Sequence, residues 1–181
     1  MGDQVWAAMA GMLVTLAIAG GCTSAGSGGI VEQALPGAGA CAFEDAILSF
    51  RLAGEEGLIG VDGFECRAVY GLRPHPDGTA ETWILGGVQD GAPTWFRSAG
   101  GGWQEIRFGG PLPGEPCRPH DVVAPERLYA HHATAVDRIF AESDHPPVLT
   151  LTSGRWELAG ARGRERLGIA WDAYTGERID P

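Results

Sequence analysis

The stretch "AFEDAILSFRLA" (42–53) is followed by "FECRAVYGL" (64–72), and the two differ in the period of their apolar residues. In the first, apolar side chains recur at helical spacing, at Phe43, Ala46, Ile47 and Phe50. In the second, they alternate as on one face of a strand, at Phe64, Cys66, Ala68, Tyr70 and Leu72. The pair therefore predicts an amphipathic helix followed by a β-strand.

Turn signals divide the next part of the chain into antiparallel strands. "RPHPDGTA" (73–80) contains an Asp-Gly pair, so "AETWILGGV" (80–88) is expected to return beside the first strand. "TWFRSAGGGWQEIRF" (94–108) repeats the scheme, with a glycine bend at 100–102. One helix followed by four strands predicts an α+β fold in which a helix packs on an antiparallel sheet. This order of elements resembles that of cystatin-like folds, and a likeness of fold alone implies no function.

The second half of the chain repeats this order of helix and strands. "GGPLPGEPCRP" (109–119) is rich in proline and glycine and is the best candidate for an internal boundary. A second helix is predicted over 125–142, with Pro125 in its first turn. Strand patterns follow at 147–152, 155–160 and 165–174. We predict one α+β domain over residues 41–181, with a form of two helix-plus-sheet lobes that meet at 109–119 as the alternative.

The N-terminal segment is apolar and ends at a cysteine. Residues 5–21 carry no charge, and they are short for a membrane-spanning helix, which needs about 20 residues. "AIAGGC" (17–22) resembles the lipobox of bacterial lipoproteins, in which the cysteine after small residues is diacylated, commonly with palmitate, and becomes the N-terminus. The resemblance implies that residues 1–21 are a signal peptide, that Cys22 is the lipid attachment site, and that residues 22–40 are a flexible tether.

This assignment departs from the lipoprotein pattern at two places. Ala19 stands where leucine is preferred, and "MGDQ" (1–4) lacks the arginine or lysine that normally precedes the apolar run. A cleaved secretory signal with a free or disulfide-bonded Cys22 and an uncleaved membrane anchor are the alternatives. On the lipoprotein interpretation, we expect a lipid-anchored protein on the extracytoplasmic face of the cell membrane.

The chain is strongly acidic. Its formal net charge is −10 at pH 7, and removal of residues 1–21 takes away only one charged side chain, Asp3. Nucleic-acid affinity depends on lysine and arginine side chains that neutralise phosphates. An acidic surface is also repelled by anionic lipid headgroups. The charge therefore argues against nucleic acid as a partner, and it leaves the lipid anchor as the expected contact with the membrane.

The four cysteines, Cys22, Cys41, Cys66 and Cys117, lie far apart and lack metal-ligand spacing. If Cys22 is acylated, the other three allow one disulfide and one free thiol. We predict a bond between Cys66 and Cys117, because Cys66 lies in a strand pattern and Cys117 follows a loop that could return to it. Cys41 bonded to either of them is an alternative, as is Cys41 as a small buried apolar residue.

Acid and histidine neighbours stand at the two ends of the second predicted helix. His120 and Asp121 precede it, and Asp144 and His145 follow it. If the loops converge, these four residues are weak candidates for a general acid-base site, as in a hydrolase. The same residue types in proline-rich loops commonly serve as turn and capping residues. His131 and His132 point about 100° apart on the predicted helix, which excludes a helical metal pair there.

Other signatures of catalysis are missing from the sequence. It has no G-x-S-x-G elbow, no S-x-x-K motif and no glycine-rich phosphate loop, so we predict no catalytic residue, cofactor or metal. The five tryptophans after residue 80 lie in strand patterns, which favours core packing over a concave binding face. "PVLTLTSGRW" (147–156) resembles a hairpin of subtilisin-inhibitor-like proteins, which implies a protease inhibitor, but no cysteine follows Cys117 to brace a reactive loop near 142–146.

These patterns together predict a membrane-anchored extracytoplasmic lipoprotein. Its folded domain is expected to be a non-catalytic binding or interaction module with a protein or small-molecule partner. An extracytoplasmic hydrolase that uses the histidines and acids around the second helix is the main alternative, and a protease inhibitor is a minor one.

Overall fold

The computed structural model describes residues 39–99 and 101–179. Its elements in chain order are α1 (Phe43–Glu55), β1 (Glu65–Pro74), β2 (Ala80–Gln89), β3 (Ala92–Ala99), β4 (Gly102–Ile106), α2 (Pro125–His131), α3 (Ala133–Glu142), β5 (Val148–Thr152), β6 (Arg155–Arg162), β7 (Glu165–Asp172) and β8 (Arg178–Ile179). The predicted signal peptide, Cys22 and nearly all of the tether lie outside the described residues. The mixed α+β class is confirmed, whereas the cystatin-like order stays a prediction.

The strands form one eight-stranded antiparallel sheet in the order β4-β3-β2-β1-β5-β6-β7-β8. Each half of the sheet is a meander of four strands, and the halves join where β1 pairs with β5. In that central pair Ala68 lies opposite Thr152, and Leu72 lies opposite Val148. This join brings together strands that are far apart in the sequence.

The main core lies between one face of the sheet and the helices. Helix α1 packs against β2 and β4, and α3 packs against β6 and β7. Phe43, at the start of α1, contacts Trp83 of β2 and Trp156 of β6 edge-on, with ring centroids 5.2 Å and 5.1 Å away. All three side chains are almost fully buried. The first helix therefore packs on both halves of the sheet at once.

The predicted apolar face of the first strand is wrong in one respect. The pairing of β1 with β2 shifts register between Cys66 and Ala68, as at a β-bulge. Cys66 packs with the helix-side core, whereas Ala68, Tyr70 and Leu72 pack with a second cluster. A bulge adds a residue to one strand and so reverses the alternation of its side chains between the two faces.

The second predicted helix, over 125–142, is two helices in the structure. The break is at His132, whose φ of −124° and ψ of 27° are not helical. Its backbone N–H donates to the carbonyl oxygens of Leu128 and Tyr129, both at 3.1 Å, which ends α2. The His132 ring lies 5.9 Å from that of Trp171 in β7. A helical face calculated across this break therefore does not describe the histidines.

The turn after β7 depends on a carboxylate. Asp172 Oδ1 accepts hydrogen bonds from the backbone N–H groups of Thr175, at 2.8 Å, and Tyr174, at 2.9 Å. These bonds favour the ionised form, so they hold the pKa of Asp172 below its ordinary value, with the Thr175 bond as the largest cause.

We expect Asp172→Asn to lower the free energy of unfolding near neutral pH by at most about 1 kcal/mol, because the group is exposed to solvent. A carboxyl with a depressed folded-state pKa stabilises the protein above its unfolded pKa and loses this effect as the pH falls through the folded value. The difference from wild type should therefore be constant above about pH 5 and shrink as the pH falls below it in urea titrations. Asp137→Asn, on the exposed side of α3, is the control. A pH-independent difference would contradict this account.

Candidate functional site

The sheet face opposite the helices is covered over its first half. Residues 107–112, which we call the covering segment, follow β4 and place Phe108 and Leu112 in a cluster with Tyr70 and Trp95. The rings of Trp95 and Phe108 are 4.8 Å apart, and the Tyr70 hydroxyl donates to the carbonyl oxygen of Pro111 at 3.0 Å. Trp95 is only 4% exposed as a result. Burial also raises the pKa of the Tyr70 hydroxyl.

The same face is polar over the second half of the sheet. Leu149, Leu151, Trp156, Leu158, Ile169 and Trp171 belong to the helix-side core, so the alternate residues of β5–β7 point to the opposite face. The polar members of this set, which we call the open face, are Thr150, Thr152, Arg155, Glu157, Arg166 and Asp172. Thr150 lies opposite Glu157 in the register, and the Arg166 guanidinium pairs with the Glu157 carboxylate. The open face thus presents hydroxyl, guanidinium and carboxylate groups side by side.

Two cysteines meet at the start of β1. The Sγ atoms of Cys66 and Cys117 are 3.3 Å apart, and the backbone N–H of Cys117 donates to the carbonyl oxygen of Cys66 at 2.8 Å. Both are free thiols in the structure, because a disulfide places its sulfurs about 2.05 Å apart. The hydrogen bond between the two thiol groups, together with burial, raises the pKa of Cys66, and the same hydrogen bond lowers the pKa of Cys117. The predicted pair is therefore in contact but not covalently linked.

Cys41 lies elsewhere. Its backbone forms an isolated bridge with Ala80, and its Sγ donates to the carbonyl oxygen of Ala42 at 3.3 Å. Burial is the largest cause of its raised pKa, followed by the nearby carboxylates of Asp45 and Glu126. These effects disfavour the thiolate, which is the reactive form of a cysteine, so we expect Cys41 to be less reactive than an exposed cysteine.

The two acids among the four weak site candidates have structural contacts in the described chain. Asp144 Oδ2 accepts from the backbone N–H of Gly163 at 2.5 Å, and its own N–H donates to the Ala161 carbonyl oxygen at 2.8 Å. Asp144 thereby fixes the turn between β6 and β7. Asp121 lies 3.9 Å from Arg118 on the exposed surface.

His120 and His145 are both exposed. Within residues 39–99 and 101–179, no group of three His, Cys, Asp or Glu side chains is placed to hold a metal ion. The structure therefore records turn contacts for the acids, and it shows no contact between the two acid-histidine pairs among the hydrogen bonds and ion pairs of these residues.

Sequence patterns missed the covering segment. The sequence pattern at 94–108 includes Phe108 in a strand, but the strand ends at Ile106. Leu112 lies in a glycine- and proline-rich stretch with no helix or strand period, so neither residue indicates packing on this face of the sheet. The available signal was Gly86, which lies opposite Trp95 in the pairing of β2 and β3. A glycine inside a strand marks a site where another group approaches the backbone closely.

Comparisons with known proteins establish no family for this chain. No protein-family model matches it, and no curated protein matches it. Among solved structures, a candidate lipoprotein from Clostridium difficile 630 is similar at 12% sequence identity, with a TM-score of 0.45, over 77% of this chain and 90% of that one. In the described part of the chain, no helix is long and apolar enough to cross a membrane.

Proposed function

We propose that this protein is an extracytoplasmic lipoprotein, attached to the cell membrane through acylated Cys22, whose folded domain is a non-catalytic binding module. The observation that supports the proposal is the sequence "AIAGGC" (17–22), with an uncharged apolar run before it and a stretch of small residues after it. A diacylated cysteine supplies two acyl chains, which anchor a protein stably where one chain binds only reversibly. The expected chemistry at Cys22 is thus a modification of the protein.

The chain between Cys22 and the fold suits a tether. Residues 23–40 include many glycine, serine and alanine residues, and a flexible chain of this length spans roughly 20–25 Å on average. That reach would hold the domain away from the lipid headgroups, and the net negative charge of the chain opposes closer contact with an anionic membrane. The sheet would then be free to meet a partner in the surrounding space.

The open face is the surface that we propose for binding. Its threonines, arginines and Glu157 offer hydrogen-bond donors and acceptors on rigid strands, which suits recognition of a polar partner. The corresponding face of the first half is occupied by the covering segment.

We expect wild-type protein from the membrane fraction to begin at Cys22 and to carry a diacylglycerol group in intact-mass and N-terminal peptide analysis. Cys22→Ser should lack this group and the new N-terminus, because the hydroxyl does not replace the thiol in the acylation step. Cys41→Ser is the matched control and should be processed like wild type. A wild-type protein without the lipid increment, or a Cys22→Ser protein that still begins at residue 22 and still carries the increment, would refute the proposal.

A further inference from the structure

The fold decides which of the three described cysteines can pair. Cys41 is bridged to Ala80, which lies opposite Pro74 at the far end of β1. Cys66 is eight residues away along that strand. At about 3.3 Å per residue, the distance is roughly 25 Å, whereas a disulfide needs Cα atoms within about 7 Å. A bond between Cys41 and Cys66 is therefore excluded, and Cys117, which touches Cys66, is equally remote from Cys41.

The remaining pair already has the contacts of a disulfide site. The sulfurs of Cys66 and Cys117 are 3.3 Å apart, and the backbones are joined by the 2.8 Å hydrogen bond from Cys117 N–H to Cys66 O. Both side chains pack in the helix-side core, Cys117 at 4% exposure and Cys66 at its edge. The sulfurs must come about 1.2 Å closer to reach the length of a disulfide bond, about 2.05 Å.

We propose that Cys66 and Cys117 form a disulfide that fastens the connection between β4 and α2 to the first strand of the sheet. The inference rests on the proposed function in one respect, because an extracytoplasmic location supplies the oxidising conditions. The covering segment lies five residues before Cys117, so the bond holds that segment near Tyr70 and Trp95.

The oxidant is a second disulfide, of a thiol-oxidising protein or of a small thiol such as oxidised glutathione. The thiolate of one of the two cysteines attacks one sulfur of the oxidant, and the oxidant's S–S bond breaks to release one thiolate. The thiolate of the other cysteine then attacks the sulfur of the first in the mixed disulfide and displaces the second thiolate. The two cysteines lose two protons and two electrons, and the oxidant is reduced to two thiols.

The test is disulfide mapping of the purified folded protein after incubation with oxidised glutathione. Free thiols are blocked by alkylation in denaturant, and the digest is compared before and after reduction. We expect one linked pair of peptides, containing Cys66 and Cys117, and alkylation at Cys41. Cys66→Ser and Cys117→Ser should each lose the linked pair, whereas Cys41→Ser should keep it. Alkylation of both Cys66 and Cys117 in wild type, or a link that includes Cys41, would overturn the proposal.

Limited trypsin digestion tests the role of the bond. Cleavage after Arg107, at the start of the covering segment, should be several-fold faster in the reduced protein than in the oxidised one. Cleavage after Arg164, in the exposed turn between β6 and β7, should not change. Equal rates at Arg107 would refute the fastening role. Because the oxidation is carried out in vitro, it can succeed even if Cys22 is not acylated, so failure of this inference and failure of the lipoprotein proposal give different results.

Discussion

Phe43→Ala is expected to lower the free energy of unfolding by about 3–5 kcal/mol, the range for truncation of a buried phenylalanine. The ring is 1% exposed and lies edge-on to Trp83 and Trp156, one from each half of the sheet. Its removal leaves a cavity that both indoles line. Each lost aromatic contact adds about 0.5–1.5 kcal/mol beyond the buried area, so the upper part of the range is expected.

The same substitution tests whether the halves of the sheet unfold together. Since Phe43 packs on both, guanidinium titrations of the variant should show one transition, with the same midpoint by far-ultraviolet circular dichroism and by tryptophan fluorescence. Leu48→Ala, at a position of α1 that is 46% exposed, is the control and should change stability by no more than about 0.5 kcal/mol. Two separated transitions, with only one displaced by Phe43→Ala, would instead support independent lobes that meet at 109–119.

Local patterns predicted most of the elements because each element depends on the residues within it. The helix predicted from the spacing at 42–53 and the returning strand predicted at 80–88 both correspond to elements of the structure, α1 and β2. The Asp-Gly turn signal lies in the hairpin between β1 and β2, where the side chain of Asp77 accepts from the backbone N–H of Thr79. Such features need no knowledge of the rest of the chain.

The features that the sequence did not predict depend on contacts between distant residues. The pairing of β1 with β5 joins strands from the two halves, and no local period specifies it. The break at His132 occurs inside a continuous helical pattern. It is accompanied by a ring contact with Trp171, which lies in β7 and is distant in the sequence. A bulge likewise leaves an apolar alternation that looks unbroken.

The candidate site also combines features that the sequence predicts with features that depend on contacts between distant residues. The pairing of Cys66 with Cys117 was one of three possibilities in the sequence, and the strand register is what excludes Cys41. The open face follows from alternation in β5–β7 only when the side that the helices cover is known. The residue types indicate which reactive and polar groups the chain carries, but only the tertiary fold shows where these groups lie.

We expect Gly86→Ala to lower stability more than any other added methyl group on the helix-free face of the first half of the sheet. A Cβ atom at residue 86 would lie 2.0 Å from the indole of Trp95, so the ring must move. Trp95 is held by Phe108 of the covering segment and is almost fully buried, so it has no free space to enter. Overpacking of this kind costs about 1–3 kcal/mol, and we expect a loss of stability in the upper part of that range.

Two measurements separate this steric effect from a general cost of replacing glycine. Gly109→Ala, in the covering segment itself, adds a methyl group with no heavy atom within 4 Å and should leave stability within about 0.5 kcal/mol of wild type. Trypsin cleavage after Arg107 should become faster in Gly86→Ala, because displacement of Trp95 disturbs its contact with Phe108. It should stay unchanged in Gly109→Ala, which does not displace Trp95. A Gly86→Ala protein as stable and as resistant to trypsin as wild type would show that the indole is not fixed by the segment. In that case the covering segment would not close this half of the sheet face, and a partner could bind there as well as on the open face.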